Sequence, residues 1–134
     1  MPTSMFVSTL DPREDNQSDE CVIDPDIYAS ELQKRWPFAD VYKSWGKFSV
    51  EWELKKSEDD IGGLGHLFSA SCTAAIRGGR REDDLEFAIW HRTMVPDHYP
   101  VYFFDEGLCK VIEVTTEMTL SELREIYDET SSST

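Results

Sequence analysis

Apolar and polar residues alternate most regularly in the segment FSVEWEL at 48–54. Its four apolar residues would share one face of an extended chain, and the three polar residues would share the other. This alternation predicts a half-buried antiparallel β-strand. Further strand candidates are 39–44, 72–76, 101–104 and 110–114. The charged, glycine-rich segment 55–67 is predicted to be a loop.

Apolar residues at helical spacing predict a first helix over 26–35. Tyr28, Leu32 and Trp36 lie four residues apart and therefore on one face. Asp24 precedes them as an N-cap, and Pro37 follows them as a stop signal. The two signals fix both ends of this helix.

Two more helices are predicted in the second half of the chain. One begins after an Asp83 cap and ends before Pro96, which pushes the preceding residue out of helical geometry. Its apolar residues cover more than half of its circumference, so it should be the central buried helix. The sequence TLSE at 119–122 matches a capping box and begins the last helix.

The order of these elements predicts an α+β fold. Because hairpins rather than crossovers connect the strands, we expect a mainly antiparallel sheet of four to five strands with three helices packed on one face. A length of 134 residues is typical of one domain. We expect that domain at 22–130, an acidic mobile arm at 1–21 and a disordered tail at 131–134.

A formal net charge of −14, from 27 acidic and 13 basic residues, narrows the class of partner. Nucleic acids and anionic membranes are bound through Lys and Arg, so neither is expected as a direct partner. The charge lies mainly at the two ends, since residues 1–26 carry seven acids against one arginine and residues 113–134 carry six against one. A basic protein is the expected partner.

Cys21, Cys72 and Cys109 lie far apart and form no C-x-x-C pair. They predict reduced thiols rather than a disulfide framework or a zinc site. No motif indicates a metal or another cofactor. The sequence begins without a basic leader or a signal-like apolar run, and no segment approaches the roughly 20 apolar residues that span a bilayer. We expect a cytoplasmic protein of bacterial type.

Two of the three histidines lie in the polar stretch WHRTMVPDHY at 90–99. Imidazole and carboxylate groups perform acid–base chemistry near neutral pH, so this stretch and the turn after it are one candidate site. Its residues are His91, Asp97, His98, Asp105 and Glu106. The alternative, which we favour, is a helix end with the two histidines on opposite sides of the Pro96 stop. No catalytic motif identifies an enzyme.

Clustered acidic residues form a second candidate site. The candidate partner-binding residues are Glu58, Asp59, Asp60, Glu117, Glu122, Glu125 and Asp128. Carboxylates in such numbers accelerate and select association with a basic protein. The simpler interpretation is that they keep a small domain in solution.

The favoured function is that of a small acidic accessory protein that binds another protein. An immunity or inhibitor role against a basic effector is its most concrete form. One alternative is a hydrolase or small-ligand-binding domain with a pocket at the end of the central helix. Another is a structural homo-oligomer, such as a homodimer, in which exposed aromatic residues such as Trp45 or Tyr99 meet across a twofold axis.

Overall fold

The computed structural model describes residues 4–14, 23–43, 46, 48–68, 72–78, 80–107 and 110–132. The strands are β1 Met5–Ser8, β2 Asp40–Lys43, β3 Phe48–Glu53, β4 Leu64–Phe68, β5 Ala74–Arg77, β6 Tyr102–Asp105 and β7 Val111–Glu113. The helices are α1 Pro25–Arg35, α2 Arg81–Thr93 and α3 Leu120–Ser132. All seven strands pair antiparallel in one sheet, in the order β2-β3-β4-β5-β1-β6-β7.

One face of the sheet, which we call the helix-covered face, carries the core. Its buried side chains are Met5, Val7, Val50, Trp52, Leu67, Ala74, Ile76, Phe103 and Ile112. Each helix places an aromatic ring against it: Tyr28 of α1 and Phe87 of α2 lie 5.7 and 5.4 Å from Trp52, and Tyr127 of α3 lies 6.2 Å from Phe103. The predicted α+β class is therefore confirmed, with three helices and an antiparallel sheet.

The opposite face, which we call the open face, carries no helix in the described part of the chain. Its central row runs across all seven strands by direct pairing. In sheet order the row is Tyr42, Glu51, His66, Ala75, Phe6, Phe104 and Val111. Aromatic and charged side chains are thus mixed on a surface that the helices leave uncovered.

The prediction of four to five strands is wrong because two strands were overlooked. β1 falls inside the predicted arm at 1–21, yet it pairs with both β5 and β6, and Val7 is fully buried. Its two partners lie far along the chain, so no local hairpin marks β1 beside the acidic segment that follows. The prediction of an arm is therefore wrong for Met5–Ser8, whereas residues 15–22 lie outside the described residues.

β4 lies inside the segment predicted to be a loop. Its buried positions are Gly65 and Leu67, and a glycine contributes no apolar side chain to the alternation. The missing volume is supplied by the indole ring of Trp52, the residue paired with Gly65 in β3. The alternation of β4 is therefore not visible in its own sequence, because the Trp52 side chain of β3 occupies the space beside Gly65 on the helix-covered face.

Side-chain caps mark the first turns of α1 and α3. Asp24 accepts hydrogen bonds from the backbone N–H groups of Asp26 and Ile27, as an N-cap should. Thr119 and Glu122 form the predicted reciprocal capping box, with N–H to side-chain oxygen distances of 3.1 and 3.2 Å. The helix α3 continues to Ser132, so the predicted tail is helical at 131–132, and 133–134 lie outside the described residues.

The cap of α2 differs from the prediction. The N-cap position is held by Arg80, whose side chain makes no capping bond, and Asp83 lies within the first turn. The Asp83 carboxylate instead forms ion pairs with Lys56 and Arg80 at 2.9 Å. A negative side chain still stabilises this helix end, through the helix dipole rather than through a cap.

Cys72 is fully buried and disulfide-bonded, contrary to the expectation of reduced thiols. The other half of the disulfide lies outside the described residues. Disulfides are typical of oxidising compartments, so the prediction of a cytoplasmic location loses the support that reduced thiols gave it. No helix in the described ranges is long and apolar enough to cross a membrane.

Thiol titration checks the disulfide directly. The denatured, unreduced chain should show one reactive thiol, and the same chain after reduction should show three, because one disulfide consumes two of the three cysteines. A Cys72→Ala variant should keep two reactive thiols without reduction. Three reactive thiols in the unreduced wild type would contradict the bond.

Substitution of Gly65 by Ala should lower the free energy of unfolding by about 1–3 kcal/mol through overpacking. A Cβ at this position would lie 2.3 Å from Nε1 and 2.4 Å from Cε2 of Trp52. The measurement is urea unfolding, with Trp52→Phe and the double variant completing a cycle. If the clash is the cause, Gly65→Ala costs less in the Trp52→Phe background, and equal costs would exclude it.

Candidate functional site

A cleft lies between the end of α2 and the end of β7. Its volume is about 330 Å³. It is lined by Arg92, Asp97, His98, Tyr99, Pro100, Glu113, Val114, Thr115 and Thr116. The lining therefore combines Arg92 and the end of the WHRTMVPDHY stretch with Glu113 of β7 and the segment after it.

Arg92 holds one wall of the cleft in place. Its side chain donates from Nη1 to the carbonyl oxygen of Tyr99 at 2.8 Å and from Nη2 to that of Pro96 at 3.2 Å. The residue is only 4% exposed. Burial lowers the pKa of its guanidinium, while the nearby carboxylates of Asp97 and Glu113 oppose that change. Arg92 thus clamps the loop at 96–99 and contributes a positive charge beneath the cleft.

The two carboxylates of the cleft are available to a ligand. Asp97 and Glu113 are exposed, and neither forms an ion pair with a described residue. Beside them the rings of His98 and Tyr99 lie 4.3 Å apart. Carboxylates next to aromatic rings form an environment that favours a cationic group.

Only part of the predicted acid–base set meets at this cleft. Asp97 and His98 line it, whereas Asp105 ends β6 at the far end of the strand and Glu106 follows it. Asp105 accepts a hydrogen bond from the backbone N–H of Lys110 at 2.8 Å, which is turn chemistry. His91 lies in the core. The five residues therefore do not form one site.

His91 is a core residue that joins three segments. The Tyr28 hydroxyl donates to its Nδ1, and its Nε2 donates to the carbonyl oxygen of Cys72, both at 2.8 Å. The carbonyl can only accept, so Nε2 carries the proton and Nδ1 accepts. Burial lowers the pKa of His91 to about 4, so the ring is neutral near pH 7. Its role is to connect α1, α2 and the segment before β5.

The predicted acidic set is divided between internal ion pairs and exposed side chains. Asp60 pairs with Arg80 at 3.0 Å and Asp128 pairs with Arg81 at 2.6 Å, while Glu122 belongs to the α3 cap. The two ion pairs stabilise contacts around the start of α2. The members that form no ion pair with a described residue are Glu58, Asp59, Glu117, Glu125 and the capping residue Glu122.

Three residues of the cleft were overlooked as site residues by sequence reasoning, namely Arg92, Tyr99 and Glu113. Arg92 and Tyr99 belong to the WHRTMVPDHY stretch, whereas Glu113 reaches the cleft through tertiary packing, for which its place in the sequence gave no signal. No group of three or more His, Cys, Asp or Glu side chains in the described part of the chain is arranged to hold a metal ion.

The pKa of His91 predicts a pH dependence of stability. Between its ordinary pKa of 6.5 and about 4 the unfolded chain binds the extra proton, so the contribution of His91 to the unfolding free energy should fall as pH drops through this range, by about 3 kcal/mol in total. Urea unfolding across this range checks it, with His91→Gln as the variant that lacks the titrating ring.

The difference in unfolding free energy between wild type and His91→Gln separates the effect of His91 from that of a second titrating group. Burial and the neighbouring Asp83 raise the pKa of Asp84 to about 7, which makes stability fall as pH rises from about 4 to about 7. That opposite trend is common to wild type and His91→Gln and cancels in their difference. A difference that stays constant from pH 4 to 7 would contradict the buried neutral histidine.

Comparisons of this chain with protein-family models, with curated proteins and with solved structures give no match.

Proposed function

We propose that this chain is an accessory protein that binds a basic protein partner, with the cleft at the end of α2 as the recognition site. The observation that carries the proposal is that Asp97 and Glu113 line the cleft without an ion-pair partner among the described residues. A Lys or Arg side chain of the partner would enter between them. An immunity or inhibitor role against a basic effector is the form that best suits such a small acidic chain.

Arg92, the basic residue of the cleft, forms no ion pair with either carboxylate. Arg92 directs both of its terminal nitrogens to backbone carbonyls rather than to Asp97 or Glu113. Its charge moderates the cleft but leaves one net negative charge among these three groups. A cationic side chain from outside would complete the balance and would contact the ring of Tyr99.

Long-range charge favours the same partner. The chain carries a formal net charge of −14, which raises the rate of encounter with a basic protein and weakens as salt is added. Glu117 follows the last lining residue, Thr116, directly in sequence and is exposed. It is the member of the predicted acidic set that best extends the cleft.

A second candidate, a small cationic ligand, uses the same cleft. Its volume of about 330 Å³ is at the lower end of the range for small-molecule sites. Asp97 and His98 of the predicted pocket are both present in the lining. A hydrolase would need further positioned groups, because His91 lies in the core and Asp105 lies at the other end of β6.

Pull-down from a native lysate at low and high ionic strength tests the proposal. The wild-type chain should retain a basic protein at low salt and release it at high salt. The double variant Asp97→Asn/Glu113→Gln should bind that protein at least about tenfold more weakly, a loss of about 1.4 kcal/mol. The matched control Glu58→Gln/Asp59→Asn removes two charges from an exposed loop outside the cleft. It should bind like wild type, because the cleft proposal leaves these two members of the predicted acidic set out of the recognition site.

The outcomes separate the two candidates. Equal loss in both double variants would mean that only net charge matters and would contradict the cleft. Absence of any basic protein at low salt would contradict protein binding. A small cationic compound released by denaturing the purified chain, and missing from the cleft variant, would favour the ligand site instead.

A further inference from the structure

A groove crosses the open face from β2 to the end of β5. It consists of two adjoining cavities of about 250 and 460 Å³ that share Leu64 and Arg77. The lining residues that the open face contributes are Tyr42, Glu51, Glu53, Leu64, His66 and Arg77, and Ile61 joins them from the loop before β4. The groove is separate from the α2 cleft, since the two share no lining residue.

Exposed apolar side chains are concentrated in this groove. Within the described ranges five large hydrophobic residues are strongly exposed, and three of them line it: Tyr42 at 54%, Leu64 at 58% and Ile61 at 88%. Scattered exposed hydrophobics are ordinary, but a contiguous group marks an interaction surface.

Arg77 is the unusual charge of the groove. In the described part of the chain, the other Lys and Arg side chains each contact a carboxylate, a backbone carbonyl or an aromatic ring. Arg77 has no such contact, although acids outnumber bases by two to one. Glu53, on the other side of Leu64, also forms no ion pair with a described residue.

The strand register makes this surface self-complementary. Glu53, Leu64 and Arg77 are directly paired neighbours on β3, β4 and β5. A twofold axis parallel to the strands and above β4 exchanges the positions of β3 and β5 between two facing sheets. It places Leu64 against the partner's Leu64 and Glu53 against the partner's Arg77, twice by symmetry.

The same axis pairs the neighbouring row without conflict. Tyr42 and Phe6 lie on β2 and β1, two strands from β4 on either side, so Tyr42 faces the partner's Phe6. Glu51 faces the partner's Ala75, and no two like charges of these rows meet. Facing sheets stand about 10 Å apart, which large side chains such as these can fill.

We propose that the open face packs against the open face of a second copy of this chain, forming a homodimer centred on Leu64. The contact goes beyond the proposed partner binding and is independent of it. It accounts for two features of the described surface: the exposed apolar groove, and an Arg77 that forms no ion pair with a described residue and has a complementary Glu53 nearby.

Sedimentation equilibrium and light scattering test the dimer. The wild type should have twice the 15.4-kDa chain mass and should dissociate on dilution. Leu64→Lys, at a position that tolerates a polar side chain by its exposure, should give a monomer. Arg77→Glu and Glu53→Arg should each raise the dimer dissociation constant about tenfold or more, because each creates two like-charge contacts. Glu58→Lys, outside the groove, should remain dimeric.

A mixing experiment gives the sharpest result. Arg77→Glu chains and Glu53→Arg chains each repel themselves, yet together they form two opposite-charge contacts, so an equal mixture should regain dimers. Circular dichroism of each variant checks that it is folded. A monomeric wild type, a dimer unaffected by Leu64→Lys, or a mixture that stays monomeric would each overturn the proposal. Asp97→Asn/Glu113→Gln should keep the dimer mass, so failure here leaves the partner-binding proposal standing.

Discussion

The close approach of the Trp52 indole to the backbone of Gly65 is the constraint on which the rest of the core depends. With no side chain at Gly65, the ring lies across β4 on the helix-covered face. Tyr28 of α1 and Phe87 of α2 then pack on that ring. The cost is an indole N–H that finds no acceptor in the described part of the chain, which is accepted in exchange for aromatic packing.

Two adjacent residues of α2 connect the packing of the core with the wall of the cleft. His91 points into the core and is fixed by Tyr28 and the Cys72 carbonyl. Arg92 follows it and fixes the carbonyls of Pro96 and Tyr99. Because neighbouring residues of a helix point in different directions, one turn of α2 serves both the core and the wall of the cleft. The cleft is therefore supported by the same packing that holds the helix.

Local patterns in the sequence predicted the elements that have a complete local signal. α1 and α3 followed from spacing and capping, and β3 followed from regular alternation. β4 could not be predicted because its apolar position is filled from another strand, and β1 could not because its partners β5 and β6 lie far along the chain, so no local hairpin marks it. In the candidate site, the separation of His91 from Asp97 and His98 followed from the Pro96 stop. The approach of Glu113 depends on tertiary packing alone.

The two surfaces differ in how the charge of the whole chain acts on them. A net charge of −14 attracts a basic partner at long range, but it repels a second copy of the same chain. Self-association is therefore feasible only where apolar contact and locally balanced charge outweigh that repulsion. The row of Glu53, Leu64 and Arg77 meets this condition, since it contains one acid, one base and an exposed apolar residue. The cleft does not, because its two exposed carboxylates are accompanied by one buried base. The local composition of each surface thus favours the proposed second copy at the open face and the proposed basic partner at the cleft.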